Sequence, residues 1–526
     1  MIFHGKQFIG FNIVANKKET FQAINPATGE KLDGFFKEAT LKEVESAAEK
    51  AAKAFAIYRK KSGVEKAFFL ETIAEEINAL GDALTNRCCS ESGLPVARIT
   101  GERGRTTGQL LLFAQLLREG SWVQASIDTA LPERQPLPRP DIRSMQIALG
   151  PVAVFGASNF PLAFSVAGGD TVSALAAGCS IVVKAHPAHP GTCELIASAI
   201  TKAAQKTNMP DGVFSMVHGG AKVGMALVNN KNIKAVGFTG SFKVGKALFD
   251  AAAKRKEPIP VYAEMGSVNP VFVLPEALAQ NAESIAQGFS NSVNLGVGQF
   301  CTNPGMLVVE TLHATSLLNH IKTSFDASVG GTMLTEGIQK NFQRGVAHLQ
   351  LMNEVHVLGK GKSAETHTSV TPVIFKVDAK EILTQSALSE EVFGPSSVVV
   401  LASGKSDLIA IAEKLNGHLT ATLFGTPQDL IYNKNLIAVL EQKVGRLIIN
   451  AFPTGVEVCH SMVHGGSFPA TTFPNSTSVG TNAIYRFTKP VCYQGFMDEL
   501  LPDELKQTNP LKIVRKVDGK YETIKE

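Results

Sequence analysis

Between residues 147 and 275, short apolar and β-branched runs alternate with longer stretches whose apolar residues recur every three or four positions. The runs are Val152-Ala153-Val154-Phe155, Ile181-Val182-Val183-Lys184, Val213-Phe214-Ser215-Met216-Val217 and Lys234-Ala235-Val236-Gly237-Phe238. Unbroken apolar runs of this kind mark strands covered on both faces. Joined by helices of about 10 to 18 residues, they predict right-handed crossovers and a parallel sheet of the dinucleotide-binding type. A second α/β series is expected from 276 to 455, with loops and short strands after it.

Upstream, residues 21–120 read as mostly helical after a turn at Asn25-Pro26-Ala27-Thr28-Gly29. Thr40 is placed to cap a helix running through Ala51 to Phe55, with Glu43 completing a capping box. Trp122 to Met145, with Pro132, Pro136, Pro138 and Pro140, reads as an arm leaving the domain. Residues 144–183 are apolar enough to suggest a membrane span. Gly150-Pro151, Gly156, Asn159, Pro161, Gly168-Gly169 and Asp170 interrupt them, so they predict strand, turn, helix and strand instead.

A chain of 526 residues exceeds one comfortable core, so two or three domains are expected. The net charge of +4 is mild, and charges alternate locally, as in Lys42-Glu43 and Glu102-Arg103. No basic stripe forms, which argues against a nucleic-acid partner. Seven cysteines without paired spacing point to reduced thiols. Met1-Ile2-Phe3-His4-Gly5 lacks a basic region followed by an apolar core, so no signal peptide is evident and a cytoplasmic location is expected.

Four local signals carry chemistry. Gly156-Ala157-Ser158-Asn159-Phe160-Pro161 follows a buried strand, where the Asn159 amide either donates into a ligand site or caps the next helix. Phe238-Thr239-Gly240-Ser241-Phe242-Lys243-Val244-Gly245 is strand, turn and helix, and the helix N-terminus can hold a phosphate. Glu264 ends the apolar stretch Ile259 to Ala263. Cys301 sits in Gly298-Gln299-Phe300-Cys301-Thr302-Asn303-Pro304-Gly305, a turn open enough to present sulfur, although buried cysteines are more often filler.

Together with Glu390-Glu391-Val392-Phe393-Gly394-Pro395, these segments resemble the aldehyde dehydrogenase superfamily, in the family's order and over nearly the whole chain. The resemblance implies an α/β protein with a Rossmann-type cofactor domain (1–121 and 146–263), an α/β catalytic domain (264–460) and a β oligomerisation arm (122–145 and 478–498). It implies Cys301 as the nucleophile, Asn159 and the Cys301 N–H as oxyanion donors, and Glu264 as the general base. It assigns Lys184, Gly240, Ser241, Glu391 and Phe393 to NAD or NADP, and implies a homodimer or homotetramer. Pro187 stands where NAD-preferring relatives carry a carboxylate, and no Asp or Glu lies between Lys184 and Glu194. NADP, contacted by Lys184 and His186, is therefore the favoured cofactor.

Three positions depart from the family's common pattern. Ser158 replaces a frequent tryptophan, Ser267 a usual glycine, and His464 an aromatic residue before Gly465-Gly466. His464 is expected near Cys301, where it raises the thiolate fraction, acts as a base or simply lines the pocket. Cys459, His460 and His464 fall short of a zinc ligand set, so no metal is expected. With Gly101–Gln109 and Phe487–Phe496, the chain looks like bacterial α-ketoglutarate semialdehyde (2,5-dioxopentanoate) dehydrogenases. NADP-dependent long-chain aliphatic aldehyde dehydrogenases are the alternative. Arg105 and Gln109 would meet a substrate carboxylate and Phe160 would line the site; the plainer reading pairs Arg105 with Glu102 on the helix surface.

Overall fold

The computed structural model describes residues 3–522; Met1 and Ile2 of the N-terminal stretch read above, and residues 523–526, lie outside it. Strands Val152–Phe155, Ile181–Lys184, Phe214–Val217, Ala235–Thr239 and Val261–Glu264 form a parallel sheet. Numbered along the chain, they lie in the order 3-2-1-4-5. Both faces are buried, and the registers show how. Val152 and Val154 point into one core while Ala153 and Phe155 point into the other. That is why the run carries no polar alternation.

The same logic builds the second sheet, where Met306 and Val308 face one core and Leu307 and Val309 the opposite one. Its strand order is His356–Lys360, Val373–Asp378, Ser396–Ala402, Met306–Glu310, Val271–Val273, Thr420–Phe424 and Arg446–Ile449. All neighbours are parallel except the first pair. The chain passes from the carboxyl end of one sheet, at Glu264, to the amino end of the other, at Val271. The two sheet ends therefore adjoin, and Cys301, just before Met306, lies on that seam.

A third, five-stranded sheet joins Thr488–Gln494, Ile142–Ala148, Ser126–Asp128, Lys516–Val517 and Lys520–Tyr521. The proline-rich segment between its strands closes on a bridge between Leu131 and Arg139. Four helices fill residues 41–119, and Thr40 and Glu43 form the capping box on the first. One element has no counterpart in the sequence reading. A hairpin, Gln7–Ile9 with Asn12–Val14, extends the first sheet antiparallel to Phe214–Val217. Its turn needs Gly10, whose φ is +58° and where a Cβ would stand 2.1 Å from Asp211 Oδ1.

Candidate active site

The cysteine loop is held by shape and by one buried amide. Gly296, Val297 and Gly298 have consecutive positive φ values of 57°, 60° and 66°, a conformation that a β-branched residue adopts only under constraint. At Gly298 a Cβ would lie 2.1 Å from the Gly394 carbonyl oxygen, so the loop packs directly on the Glu391–Pro395 segment. Asn269, fully buried at φ +51°, donates from Nδ2 to the carbonyls of Cys301 and Asn303, each at 2.9 Å. Its Oδ1 accepts from Ser267 Oγ at 2.8 Å and Thr420 Oγ1 at 3.1 Å. The sequence reading gave Asn269 no role. The available signal was an Asn before Pro270, a residue type that tolerates the left-handed region.

Cys301 is half-buried, with Sγ 3.5 Å from His464 Nε2. The same nitrogen lies 2.9 Å from Glu264 Oε1, and Ser478 Oγ donates to Glu264 Oε2. Glu264 and His464 are buried, at 4% and 1% exposure, so a lone solvated glutamate is excluded. Burial works against the Glu264 charge, but His464 and the hydrogen bonds from His464, Ser478 and Cys301 outweigh it and hold the carboxyl below its usual range. Burial, reinforced by Glu264, pushes the Cys301 thiol well above its usual range. An ionised carboxylate facing Nε2 requires the proton there. Nδ1 has no partner. His464 is thus a donor in this geometry, and Glu264 is the group that can receive the thiol proton.

Asn159 Nδ2 donates to the Gln299 carbonyl at 3.0 Å, two residues before Cys301, which leaves its second N–H free to serve the site. The turn bearing Asn159 is fixed from below by Glu102. This carboxylate accepts the N–H groups of Leu162 and Ala163 at 2.8 and 2.9 Å and pairs with Arg98 at 3.3 Å. Glu102 is 2% exposed, which corrects its reading as one of a pair of alternating surface charges. Arg98 lies 4.3 Å above the Phe160 ring and 5.1 Å from Phe300. Phe160 is itself buried and packs edge-on against Phe300. It ties the asparagine and cysteine loops together more than it offers a free wall.

Arg105 does not pair with Glu102. Its guanidinium lies 5.6 Å from Phe160 and 5.4 Å from Phe164, and its buried Nε has no partner. Gln109 Nε2 is likewise buried and unpartnered. Both line an open cleft of about 510 Å³ with Leu111, Leu112, Gln115 and Val456–Val458. Burial pushes the Arg105 guanidinium down, and Cys301, Glu102 and Glu264 oppose that fall.

The cofactor candidates gather at the carboxyl edge of the first sheet. Lys184 Nζ donates to the carbonyls of Ala185 and Gly219, each at 3.0 Å, and burial pushes its ammonium down to about 8. Glu38, which no reading of residues 184–194 could include, is close enough to oppose that fall. His186 stacks on His189, its rings 5.1 Å apart, and Nδ1 accepts from the Ala188 N–H. Burial drives its basicity well down, so it can offer a neutral N–H but no charge. Gly240 and Ser241 are exposed, and Ser241 precedes the helix Phe242–Ala253 without capping it, leaving its N–H groups open to an anion. The switch in strand order falls here, between the first strand and the fourth. Glu391 and Phe393 border a small cavity of about 20 Å³ against Gly298 and Asn303. At Gly266 a Cβ would stand 2.2 Å from Glu391 Oε2.

A model of the aldehyde dehydrogenase family matches residues 13–470. The chain belongs to the aldehyde dehydrogenase family. Over 98% of its length it is 50% identical to alpha-ketoglutaric semialdehyde dehydrogenase 2 of Azospirillum brasilense, covering 99% of that protein. It is 47% identical to alpha-ketoglutaric semialdehyde dehydrogenase of Acinetobacter baylyi, with 98% of each chain covered. Among solved structures, lactaldehyde dehydrogenase from Escherichia coli superposes with a TM-score of 0.80 at 20% identity, covering 93% of this chain and 98% of the other. A 3,6-anhydro-L-galactose dehydrogenase described in complex with NAP gives 0.79 at 22% identity, covering 93% and 99%. These two share the fold. The resemblance read from the five motifs holds, and the protein is an aldehyde-oxidising dehydrogenase. Its membership does not extend to a membrane helix: among the described residues no helix is long and apolar enough to cross a bilayer.

Proposed function

We propose that this aldehyde dehydrogenase oxidises 2,5-dioxopentanoate, the α-ketoglutaric semialdehyde named in its relatives, to the dicarboxylate, with NADP favoured. The observation that carries the substrate is the pair of buried, unpartnered donors, Arg105 Nε and Gln109 Nε2, that line one open cleft. A buried guanidinium N–H without a partner is costly, and a substrate carboxylate relieves it. Alkyl chains would leave it unrelieved.

In this reading Glu264 takes the proton from Cys301, whose sulfur forms a bond to the aldehyde carbon. The Asn159 amide and the Cys301 N–H stabilise the resulting oxyanion. A nicotinamide held by these residues would supply the hydride acceptor for this tetrahedral carbon, and an acyl thioester would then remain on Cys301. Glu264 then deprotonates the water that hydrolyses the thioester. Lys184 and His186 would hold the adenine ribose end, Gly240 and Ser241 the pyrophosphate, and Glu391 with Phe393 the nicotinamide ribose. The five-stranded sheet, whose outer strand Thr488–Gln494 is largely exposed, would pair subunits in a homodimer or homotetramer.

A substrate panel tests the assignment. The highest kcat/KM is expected for 2,5-dioxopentanoate, above succinic semialdehyde, glutaraldehyde and long alkanals. Arg105→Ala should raise KM for the carboxylate-bearing aldehydes by about 10- to 100-fold, the worth of a charged hydrogen bond, while propanal changes little. Equal losses for both classes, or a preference for alkanals, would remove Arg105 from substrate recognition.

Cofactor choice has its own readout. The Lys184 ammonium, at about 8 in the free enzyme, is charged below that pH and neutral above it. The attraction for a 2′-phosphate is therefore present near neutrality and lost as pH rises. The ratio of kcat/KM for NADP over NAD should fall about tenfold between about pH 7 and about pH 9.5. A flat ratio, or a strong NAD preference throughout, overturns the assignment.

A further inference from the structure

The thiol of Cys301, the imidazole of His464 and the carboxylate of Glu264 converge on one point. Cys301 Sγ, His464 Nε2 and a Glu264 oxygen all lie within 4.8 Å of one another. These are three different donors, one thiol, one imidazole and one carboxylate, each drawn from a different part of the chain. The set is not the one considered from sequence. His460 turns its Nδ1 to Thr481 Oγ1 at 3.2 Å, and Cys459 does not join His464 in any ligand cluster among the described residues.

We propose that Cys301, His464 and Glu264 form a zinc site that reversibly caps the nucleophile. Geometry supports it first. Tetrahedral zinc, with Zn–S near 2.3 Å and Zn–N near 2.0–2.1 Å, places its sulfur and nitrogen ligands about 3.6 Å apart. Here Sγ and Nε2 are 3.5 Å apart. Nitrogen and oxygen ligands of such an ion stand about 3.3 Å apart, so the 2.9 Å contact between Nε2 and Glu264 Oε1 opens by a few tenths of an ångström. The donor chemistry supports it second, because a thiolate, an imidazole and a carboxylate together suit a borderline-soft divalent ion. Three protein ligands leave a fourth position for water, as in open rather than structural zinc sites.

The surroundings also set the strength. Ser478 Oγ holds the other Glu264 oxygen, so the carboxylate is oriented. His464 Nδ1 has no acceptor, and ligating histidines ordinarily have one. The site is built for exchange more than for a resident ion. On binding, the thiol proton passes to solvent as the S–Zn bond forms, the imidazole proton is exchanged through solvent from Nε2 to Nδ1 as the N–Zn bond forms, and nothing is oxidised or reduced. That zinc and aldehyde then exclude each other rests on Cys301 being the nucleophile. Metal binding itself does not, so the two can fail separately.

The test uses the full-length, reduced enzyme stripped with chelator and titrated anaerobically with cobalt chloride, then with zinc chloride. One equivalent of cobalt should give intense tetrahedral visible bands and a thiolate charge-transfer band, both lost when zinc displaces it. Zinc should shield Cys301 from iodoacetamide, as read by peptide mapping, and EDTA should restore both alkylation and turnover. His464→Phe should weaken zinc by at least about 100-fold, the upper end for losing even a supporting partner. Cys459→Ser should leave the affinity unchanged. A cobalt spectrum without the thiolate band overturns the proposal, as does equal alkylation of Cys301 with and without zinc. Either measurement on the wild-type enzyme decides without the variants. Shielding without loss of turnover would instead refute Cys301 as the nucleophile.

Discussion

Cys301→Ala is expected to abolish aldehyde-dependent reduction of NADP, lowering kcat by at least about 10⁴-fold, with the fold and the cofactor site retained. The reason for separating the two lies in how the loop is held. Asn269 grips the main-chain carbonyls of Cys301 and Asn303, and Gly298 sits against the Gly394 carbonyl. None of these contacts uses the sulfur. A half-buried thiol removed from such a frame should change stability by about 1 kcal/mol or less, and NADP affinity should stay within about twofold of wild type. Residual turnover above about a hundredth of the wild-type rate would mean that another group attacks the aldehyde. Cys459 and Cys492 are the other thiols with exposure outside the helical region, and neither joins the cluster around Glu264.

The same contacts explain why part of the site was legible in sequence and part was not. The parallel sheets were readable because strands buried on both faces leave an unbroken apolar signature, and the crossovers between them carry helical periodicity. Cys301, Glu264 and Asn159 could be picked out because each follows or precedes such a run in a turn. Their mutual arrangement could not. His464 reaches Cys301 across 163 residues of sequence, and Ser478 reaches Glu264 across 214. No local periodicity encodes a partner at that range. Polar residues that work in the interior were misjudged for a related reason. Glu102 sits on a long helix among charged neighbours and reads as surface, yet with Arg98 it anchors the turn that bears Asn159. The hairpin Gln7–Val14 escaped notice because each strand has only three residues, too few for alternation to show.

Glu264→Gln is the second large effect, and it divides the reaction in time. Glutamine keeps the shape and can accept from one of Ser478 and His464, which contact different Glu264 oxygens, while its NH2 faces the other, but it cannot take a proton. If Glu264 serves both the thiol and the water, the loss appears in both halves of turnover. Steady-state kcat should fall by about 10²- to 10⁴-fold, the range for a general base. Stopped-flow absorbance at the reduced nicotinamide band should still show a slowed burst approaching one equivalent per active site. The acyl-enzyme that then accumulates should be detectable by intact mass as an adduct on the Cys301 peptide. The burial of Glu264, 4% exposed, makes a rescuing solvent base ineffective within the site. A variant that turns over within tenfold of the wild type, with no adduct, would assign the base to another group. His464 is the alternative such a result would favour, because its Nε2 is the only other titratable atom within reach of Cys301 in the cluster. The double variant Glu264→Gln/His464→Phe would then be the inactive one.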